Sequence, residues 1–151
     1  MCVEVLVTGT FNVLHAGHVQ LLEYASTFGK VTVGINADSY LHGKYGSDKT
    51  VPMLNRAYLL RSIKFVDEVV VFTADDPSEL IRQLKPQFFV RGPDYGGVEL
   101  VEQVALDEVG AQLIIHCGDK IHNASSLVEH LPQQGFQPMA SGAVLPWLSQ
   151  Y

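Results

Sequence analysis

The chain has 151 residues, of which 47% are hydrophobic and 17% are charged, a composition typical of one folded globular domain. The formal net charge is −6. This argues against nucleic acid as a partner, because that interaction needs basic side chains along a surface to neutralise phosphates. A small anionic substrate stays compatible with the charge, since it responds to the local field of its site.

The two cysteines, Cys2 and Cys117, show neither metal-ligand nor redox spacing. A small secreted fold normally carries more cysteines, so a reducing compartment is favoured. No signal peptide precedes the first strand pattern, and the longest apolar runs are far too short to span a bilayer. We therefore expect a cytoplasmic protein without a membrane partner.

Short apolar, β-branched runs alternate with helical patterns along the chain, and most end at glycine or polar residues. Residues 42–51 are rich in Gly, Lys and Ser without apolar periodicity, which predicts an exposed, mobile loop. In chain order, the predicted elements are a strand over 3–7, a helix over 18–28, a strand over 31–35, a helix from Pro52, a strand over 68–72, a helix over 78–84 capped by Asp75, Asp76 or Ser78, a strand over 87–90, a helix over 98–109, a strand over 112–116 and a helix over 124–131.

This alternation of strands and helices predicts a parallel sheet that is covered on both faces. Ligands of such sheets bind beyond the carboxyl ends of the strands. The polar and glycine-rich segments 9–18, 36–39, 91–97 and 118–126 all follow predicted strands, so we expect them to converge on one cleft.

Two histidines, His15 and His18, stand three positions apart between a glycine turn and a helical pattern. The start of a helix attracts anions through its unpaired N–H groups and its dipole. Gly9 permits a tight turn, Gly17 leaves space beside the helix, and the backbone N–H groups from Thr10 onward can point at an anion. A surface pair and a metal site are the alternatives, but no third metal ligand stands out nearby. A phosphate site is therefore the favoured interpretation.

The segment from Thr8 to His18 resembles the G-x-F-[DN]-x-x-H-x-G-H signature of the cytidylyltransferase-like nucleotidyltransferases. Further similarity lies in residues 55–57, 66–70 and 84–95 and in the serine pair Ser125 and Ser126, and it extends over residues 3 to 131. The most similar branches are glycerol-3-phosphate cytidylyltransferases and the adenylyltransferase domain of ADP-heptose synthases. Residues 76–81 and 94–95 favour the heptose branch.

The resemblance implies a Rossmann-like, doubly wound sheet of five parallel strands in the order 3-2-1-4-5. Residues 1–131 would form this one domain and residues 132–151 a C-terminal extension. It also implies the reaction: CMP or AMP moves from a nucleoside triphosphate to a small polyol or sugar phosphate, such as glycerol 3-phosphate or heptose 1-phosphate, and pyrophosphate leaves. Mg²⁺ would accompany CTP or ATP, and the protein would be a homodimer.

By the same resemblance, His15, His18 and Lys44 are the catalytic candidates. Alternatives remain open: Lys44 as a solvated loop lysine, Arg56 as a structural salt bridge, residues 91–94 as a simple turn and the serines as helix caps. Lys49 is a weaker candidate than Lys44. The nucleotide-binding candidates are Thr8, Gly9, Thr10, Phe11, Gly17, Arg91, Gly92, Asp94, Lys120, Ser125 and Ser126, and the acceptor-binding candidates are Asp38, Lys44 and Arg56.

The chain also departs from the family pattern. Ser125 and Ser126 stand where serine-threonine is usual, Lys120 stands in for an upstream arginine, and Asn12 stands where aspartate is commoner. One rival function is therefore a catalytically weak nucleotide-binding protein on the same fold. A pantetheine-phosphate or nicotinate-nucleotide type of adenylyltransferase is a second rival, disfavoured by residues 85–94 and the serine pair.

Overall fold

A computed structural model describes residues 3–74, 76–92 and 101–116. Five parallel strands form one sheet in the order β3-β2-β1-β4-β5, which confirms the predicted Rossmann-like fold and its strand order. In the centre of the sheet, Val7 of β1 pairs with Val33 of β2 on one side and with Val90 of β4 on the other. The strands are β1 (Glu4–Gly9), β2 (Lys30–Asn36), β3 (Glu68–Phe72), β4 (Phe88–Arg91) and β5 (Gln112–Ile115).

Helices connect these strands, and a short 3₁₀ turn (Ser47–Lys49) follows the second helix. The helix α1 begins at Ala16, two residues before its predicted start, because His15 caps it. The helix predicted over 98–109 begins only at Gln103, and residues 101 and 102 before it form a turn. The helices are α1 (Ala16–Ser26), α2 (Asp38–Tyr45), α3 (Met53–Arg61), α4 (Ser78–Leu84) and α5 (Gln103–Val109).

The core has two halves, one on each face of the sheet, because successive strand residues point to opposite faces. On one face, strand residues such as Val7 pack with Leu22 of α1 and Leu60 of α3. On the other, Leu6 packs with Ile81 of α4 and Leu106 of α5. The helices therefore cover both faces, which leaves the carboxyl ends of the strands as the edge where loops meet.

The prediction that residues 42–51 form an irregular loop was wrong for most of that segment. Residues 42–45 complete α2, and Ser47–Lys49 forms the 3₁₀ turn. A single fully buried residue, Leu41, anchors α2. An apolar period cannot arise from one buried position, so this short helix gives no periodic signal. The segment is exposed at residues 42–45 and 47–49, as expected.

At the start of α4, Pro77 is the N-cap residue and provides no side-chain capping bond, whereas Asp76, one of the three predicted candidates, lies one residue before it. Its Oδ1 accepts a hydrogen bond from the backbone N–H of Ser78 at 2.8 Å. Hydrogen bonds from the Ser78 side chain and backbone hold the pKa of Asp76 below its ordinary value. Since a depressed carboxyl pKa stabilises the fold above the unfolded-state pKa, this contribution is lost as the pH falls through the folded-state pKa.

Other expectations concern residues that the structure does not describe, including the helix over 124–131, the extension over 132–151, Cys2 and Cys117. Within the described ranges, no helix has both the length and the apolar character needed to cross a bilayer.

The turn between α1 and β2 gives a stability prediction. A Cβ atom added at Gly29 would overlap the carbonyl oxygen of Val3, at the start of the central strand. We expect Gly29→Ala to lower the free energy of unfolding by about 1–3 kcal/mol, because overpacking against backbone forces the chain to shift. Urea denaturation measures the change.

Gly43 provides the matched control. It lies within α2 and has nothing within 4 Å of its added Cβ. Gly43→Ala should be neutral or should stabilise the protein by about 0.5–1 kcal/mol, as alanine does in a helix interior. Equal effects of the two substitutions would contradict the packing argument.

Candidate active site

The histidine pair lies where α1 begins, after the loop that follows β1. His15 is the N-cap residue, and its Nδ1 accepts a hydrogen bond from the N–H of Gly17 at 3.1 Å. In return, His18 Nδ1 accepts from the N–H of His15 at 3.2 Å. The two rings stack with centroids 3.8 Å apart and planes 22° apart. The arrangement is a reciprocal capping box in which both capping side chains are imidazoles.

This geometry determines which ring nitrogen carries the proton. A nitrogen that accepts a hydrogen bond has no proton, so in neutral His15 and His18 the proton is on Nε2. Each Nε2–H is then a donor on the side of the ring opposite the capping bond. Two such donors beside a helix N-terminus suit the oxygens of a phosphate group.

Phe11 supports the histidine pair through ring contact. Its ring lies 4.9 Å from the His18 ring, and the side chain is 5% exposed. Its backbone has a φ of 47°, a left-handed conformation that costs about 1–2 kcal/mol for a non-glycine residue. A Cβ at Gly9 would come within 3.0 Å of the Phe11 ring. Gly9 is the last residue of β1 and makes room for the aromatic ring, whereas the left-handed residue of this loop is Phe11.

Asn12 lies in the loop between β1 and α1, which carries the histidine pair and is called the histidine loop below. Its side chain joins this loop to the segment after the 3₁₀ turn. Its Nδ2 donates to the carbonyl of Lys49 at 2.8 Å, and its Oδ1 accepts from the N–H of Val51 at 2.8 Å. An amide meets both needs because it carries a donor and an acceptor side by side. In the sequence, Asn12 stands out only as a departure from aspartate.

Arg56 on α3 is 1% exposed and makes hydrogen bonds 2.8–3.0 Å long to protein groups. Nε donates to the carbonyl of Val51, and one terminal nitrogen, NH1, donates to the carbonyls of Thr10 and Asn36. The other, NH2, forms an ion pair with Asp38 at 2.8 Å. Of the two roles open for Arg56, the structure shows the salt bridge, and contact with an acceptor stays a prediction.

A second buried cation, Arg91, ends β4. Its terminal nitrogen NH1 donates to Thr8 Oγ1 at 3.0 Å and lies 2.9 Å from Glu102 Oε1. All three residues are buried. Sequence reasoning missed Glu102, since an acidic residue just before a helix is common and carries no sign of its partner.

These contacts bring together chain segments at the carboxyl ends of β1, β2 and β4. Arg56 ties the first to the second, and Arg91 ties the end of β4 to Thr8 of β1. Gly92 follows β4 directly, and the Lys44 Nζ lies 5.3 Å from the Tyr45 ring. The site residues stay predictions, and four of them lie outside the described residues: Asp94, Lys120, Ser125 and Ser126.

Across the residues that the structure describes, no group of three or more His, Cys, Asp or Glu side chains could hold a metal ion. Asp38, an acidic side chain at this edge of the sheet, is engaged by Arg56.

The fold is that of a Rossmann-like α/β domain in which a histidine pair caps the helix that follows β1. The chain belongs to the cytidylyltransferase-like family of nucleotidyltransferases, because the model of that family matches residues 6–127. This confirms the resemblance found in the sequence.

Two relatives illustrate the similarity. The chain is 43% identical over 107 residues to the bifunctional protein HldE of a Nitratiruptor species, with 70% of this chain and 23% of that protein covered. It is 40% identical over 109 residues to the bifunctional protein HldE of Streptomyces coelicolor, with 71% and 24% covered. The chain thus spans about a quarter of the length of these relatives.

A solved structure shares the fold. It is the lipopolysaccharide core biosynthesis protein from Thermoplasma volcanium GSS1, with a TM-score of 0.64 and 24% sequence identity. The match covers 76% of this chain and 94% of that one. At this identity the likeness shows the architecture alone.

The buried Arg56 side chain gives a prediction for the stability of the protein. Arg56→Met leaves the Asp38 carboxylate and three carbonyl groups without their donor. We expect the free energy of unfolding to fall by about 3 kcal/mol, the order of magnitude for breaking a buried charged network. Arg61→Met, at an exposed position on the same helix, should change it by less than about 0.5 kcal/mol. Chemical denaturation of both variants tests the difference, and equal stability would show that the network contributes nothing.

Proposed function

We propose that this chain transfers AMP from ATP to the phosphate of a small sugar phosphate such as heptose 1-phosphate, with release of pyrophosphate. The observation that carries the proposal is the stacked histidine pair at the start of α1, with both Nδ1 atoms occupied by backbone N–H groups. The similarity to HldE proteins and the resemblance of residues 76–81 to the heptose branch support this choice of substrates.

The chemistry follows from the donors at this position. An acceptor phosphate oxygen attacks the α-phosphorus of the nucleotide, the bond to the bridging oxygen breaks, and pyrophosphate leaves in line. Negative charge shifts onto the phosphoryl oxygens during the reaction, so fixed N–H donors stabilise the transition state. His15 and His18 present Nε2–H donors, and α1 adds its dipole. No general base is required, because a phosphate monoester oxygen is already nucleophilic.

The substrate is proposed to be the magnesium complex of the nucleotide. Mg²⁺ prefers phosphate oxygens, water and one or two carboxylates over an all-protein cage. Its role is to neutralise phosphate charge beside a chain of net charge −6. The residues of this chain do the rest: they bind, orient and hold donors in place.

Pyrophosphate release identifies the substrates. The protein is incubated with magnesium and each of the four nucleoside triphosphates, against heptose 1-phosphate and glycerol 3-phosphate. We expect the highest rate with ATP and heptose 1-phosphate. A higher rate with CTP and glycerol 3-phosphate would replace our substrates with the other branch of the family. Nucleotide binding without any release would favour the catalytically weak binding protein.

The role of the histidine pair has its own test. We expect His18→Ala to lower kcat by about 100-fold or more, because it removes one donor to the developing charge. The variant also loses half of the reciprocal cap, so its thermal melting is measured beside its kinetics. His42→Ala, at an exposed position of α2, is the matched control and should keep the wild-type kcat.

A glutamine at position 18 distinguishes the capping role of this side chain from its proposed catalytic role. Glutamine is a natural capping-box partner at the third helical position, so His18→Gln should recover the melting temperature lost in His18→Ala. Its kcat should stay well below that of the wild type. A His18→Ala enzyme with unchanged kcat would remove His18 from the proposed mechanism.

A further inference from the structure

The segment between α2 and α3 contains a turn that is closed by local hydrogen bonds. Gly46 has a φ of 88°, and its carbonyl accepts from the N–H of Lys49 at 3.3 Å and from Thr50 Oγ1 at 2.8 Å. These bonds close the turn around the 3₁₀ segment. The backbone position of Lys49 is therefore defined by the local structure.

The same turn is tied to its surroundings at three points. Asn12 holds the carbonyl of Lys49 and the N–H of Val51, both at 2.8 Å, and Arg56 Nε holds the carbonyl of Val51 at 2.8 Å. Asn12 lies three residues before His15 in the chain. The backbone of Lys49 is thus within hydrogen-bond distance of the loop that carries the histidine pair.

Lys44 differs from Lys49 in its surroundings. It lies in the last turn of α2, where its Nζ lies over the Tyr40 and Tyr45 rings at 5.9 and 5.3 Å. Both rings belong to α2 itself. Lys49, in contrast, has an exposed side chain on a backbone that the histidine loop holds.

We propose that Lys49 contacts the polyphosphate bound at the histidine pair and that Asn12 is the positioning residue that holds it there. The proposal deepens the proposed function, on which it rests. A lysine reaches an anion on a flexible four-carbon stem, so the useful position of its charge depends on where its backbone is fixed. Asn12 supplies that fixed point through one donor and one acceptor.

A double-mutant cycle tests the proposal with the full chain and inorganic tripolyphosphate as the probe. Isothermal titration calorimetry measures the dissociation constant for the wild type, Asn12→Ala, Lys49→Met and the double variant. We expect each single change to weaken binding by about tenfold, the size of one charged contact. The double variant should bind no more than about twofold more weakly than Lys49→Met, because Asn12 acts through Lys49.

Three further measurements sharpen the cycle. Lys49→Arg keeps the charge and should retain most of the affinity. Hydrogen exchange at the Val51 amide should accelerate in Asn12→Ala and stay slow in Lys49→Met, since Asn12 is its acceptor. Lys64→Met, at an exposed lysine before β3, and Asn55→Ala, at an exposed position on α3, are the matched controls and should bind as the wild type does.

Other outcomes overturn the proposal. Additive effects in the cycle, an unchanged affinity in Lys49→Met, or a wild-type chain that does not bind tripolyphosphate would each do so. If Asn12→Ala does not fold, Asn12→Ser takes its place in the cycle. A chain that binds tripolyphosphate but transfers nothing to any acceptor contradicts the proposed function alone, and the cycle then still decides the role of Lys49.

Discussion

The buried guanidinium of Arg56 is the constraint on which this edge of the sheet depends. A charge that is removed from water must be met by hydrogen bonds on all sides, or its desolvation would outweigh its attraction to a partner. Arg56 meets that condition with carbonyls from three separate segments and with the Asp38 carboxylate. One segment follows β1, one lies at the end of β2 and one precedes α3. Their relative positions are therefore set by one side chain.

The conformation of the histidine loop depends on the hydrogen bonds of Arg56. The carbonyl of Thr10 is held by Arg56, and the next residue, Phe11, adopts a left-handed backbone. Such a conformation persists only where the surroundings determine it. Here the buried Phe11 ring and the reciprocal cap between His15 and His18 do so from the other end of the loop. The donors of the histidine pair are thus oriented before any ligand arrives, which is the condition for electrostatic stabilisation.

The sequence predicted the features that leave a periodic or compositional trace. The strands and their order and the histidine pair at a helix start belong to this group. Asn12 and Glu102 do not, because their partners lie 37 to 39 and 11 residues away in the chain. For Arg56 the sequence offered a salt bridge as one of two roles, but gave no sign of its carbonyl partners, which lie 5 to 46 residues away. The short helix α2 was missed for a related reason, since its one buried residue gives no period.

The cationic groups at this edge of the sheet have two different roles. Arg56 of α3 and Arg91 of β4 are buried and direct donors to protein groups. The direct contacts that we propose for an anion belong to other groups: the imidazoles, the helix N-terminus and Lys49. In a chain of net charge −6, affinity for a polyphosphate must come from this local arrangement. The fold and the proposed binding therefore use different cations, and in our proposal the Asn12 amide connects them.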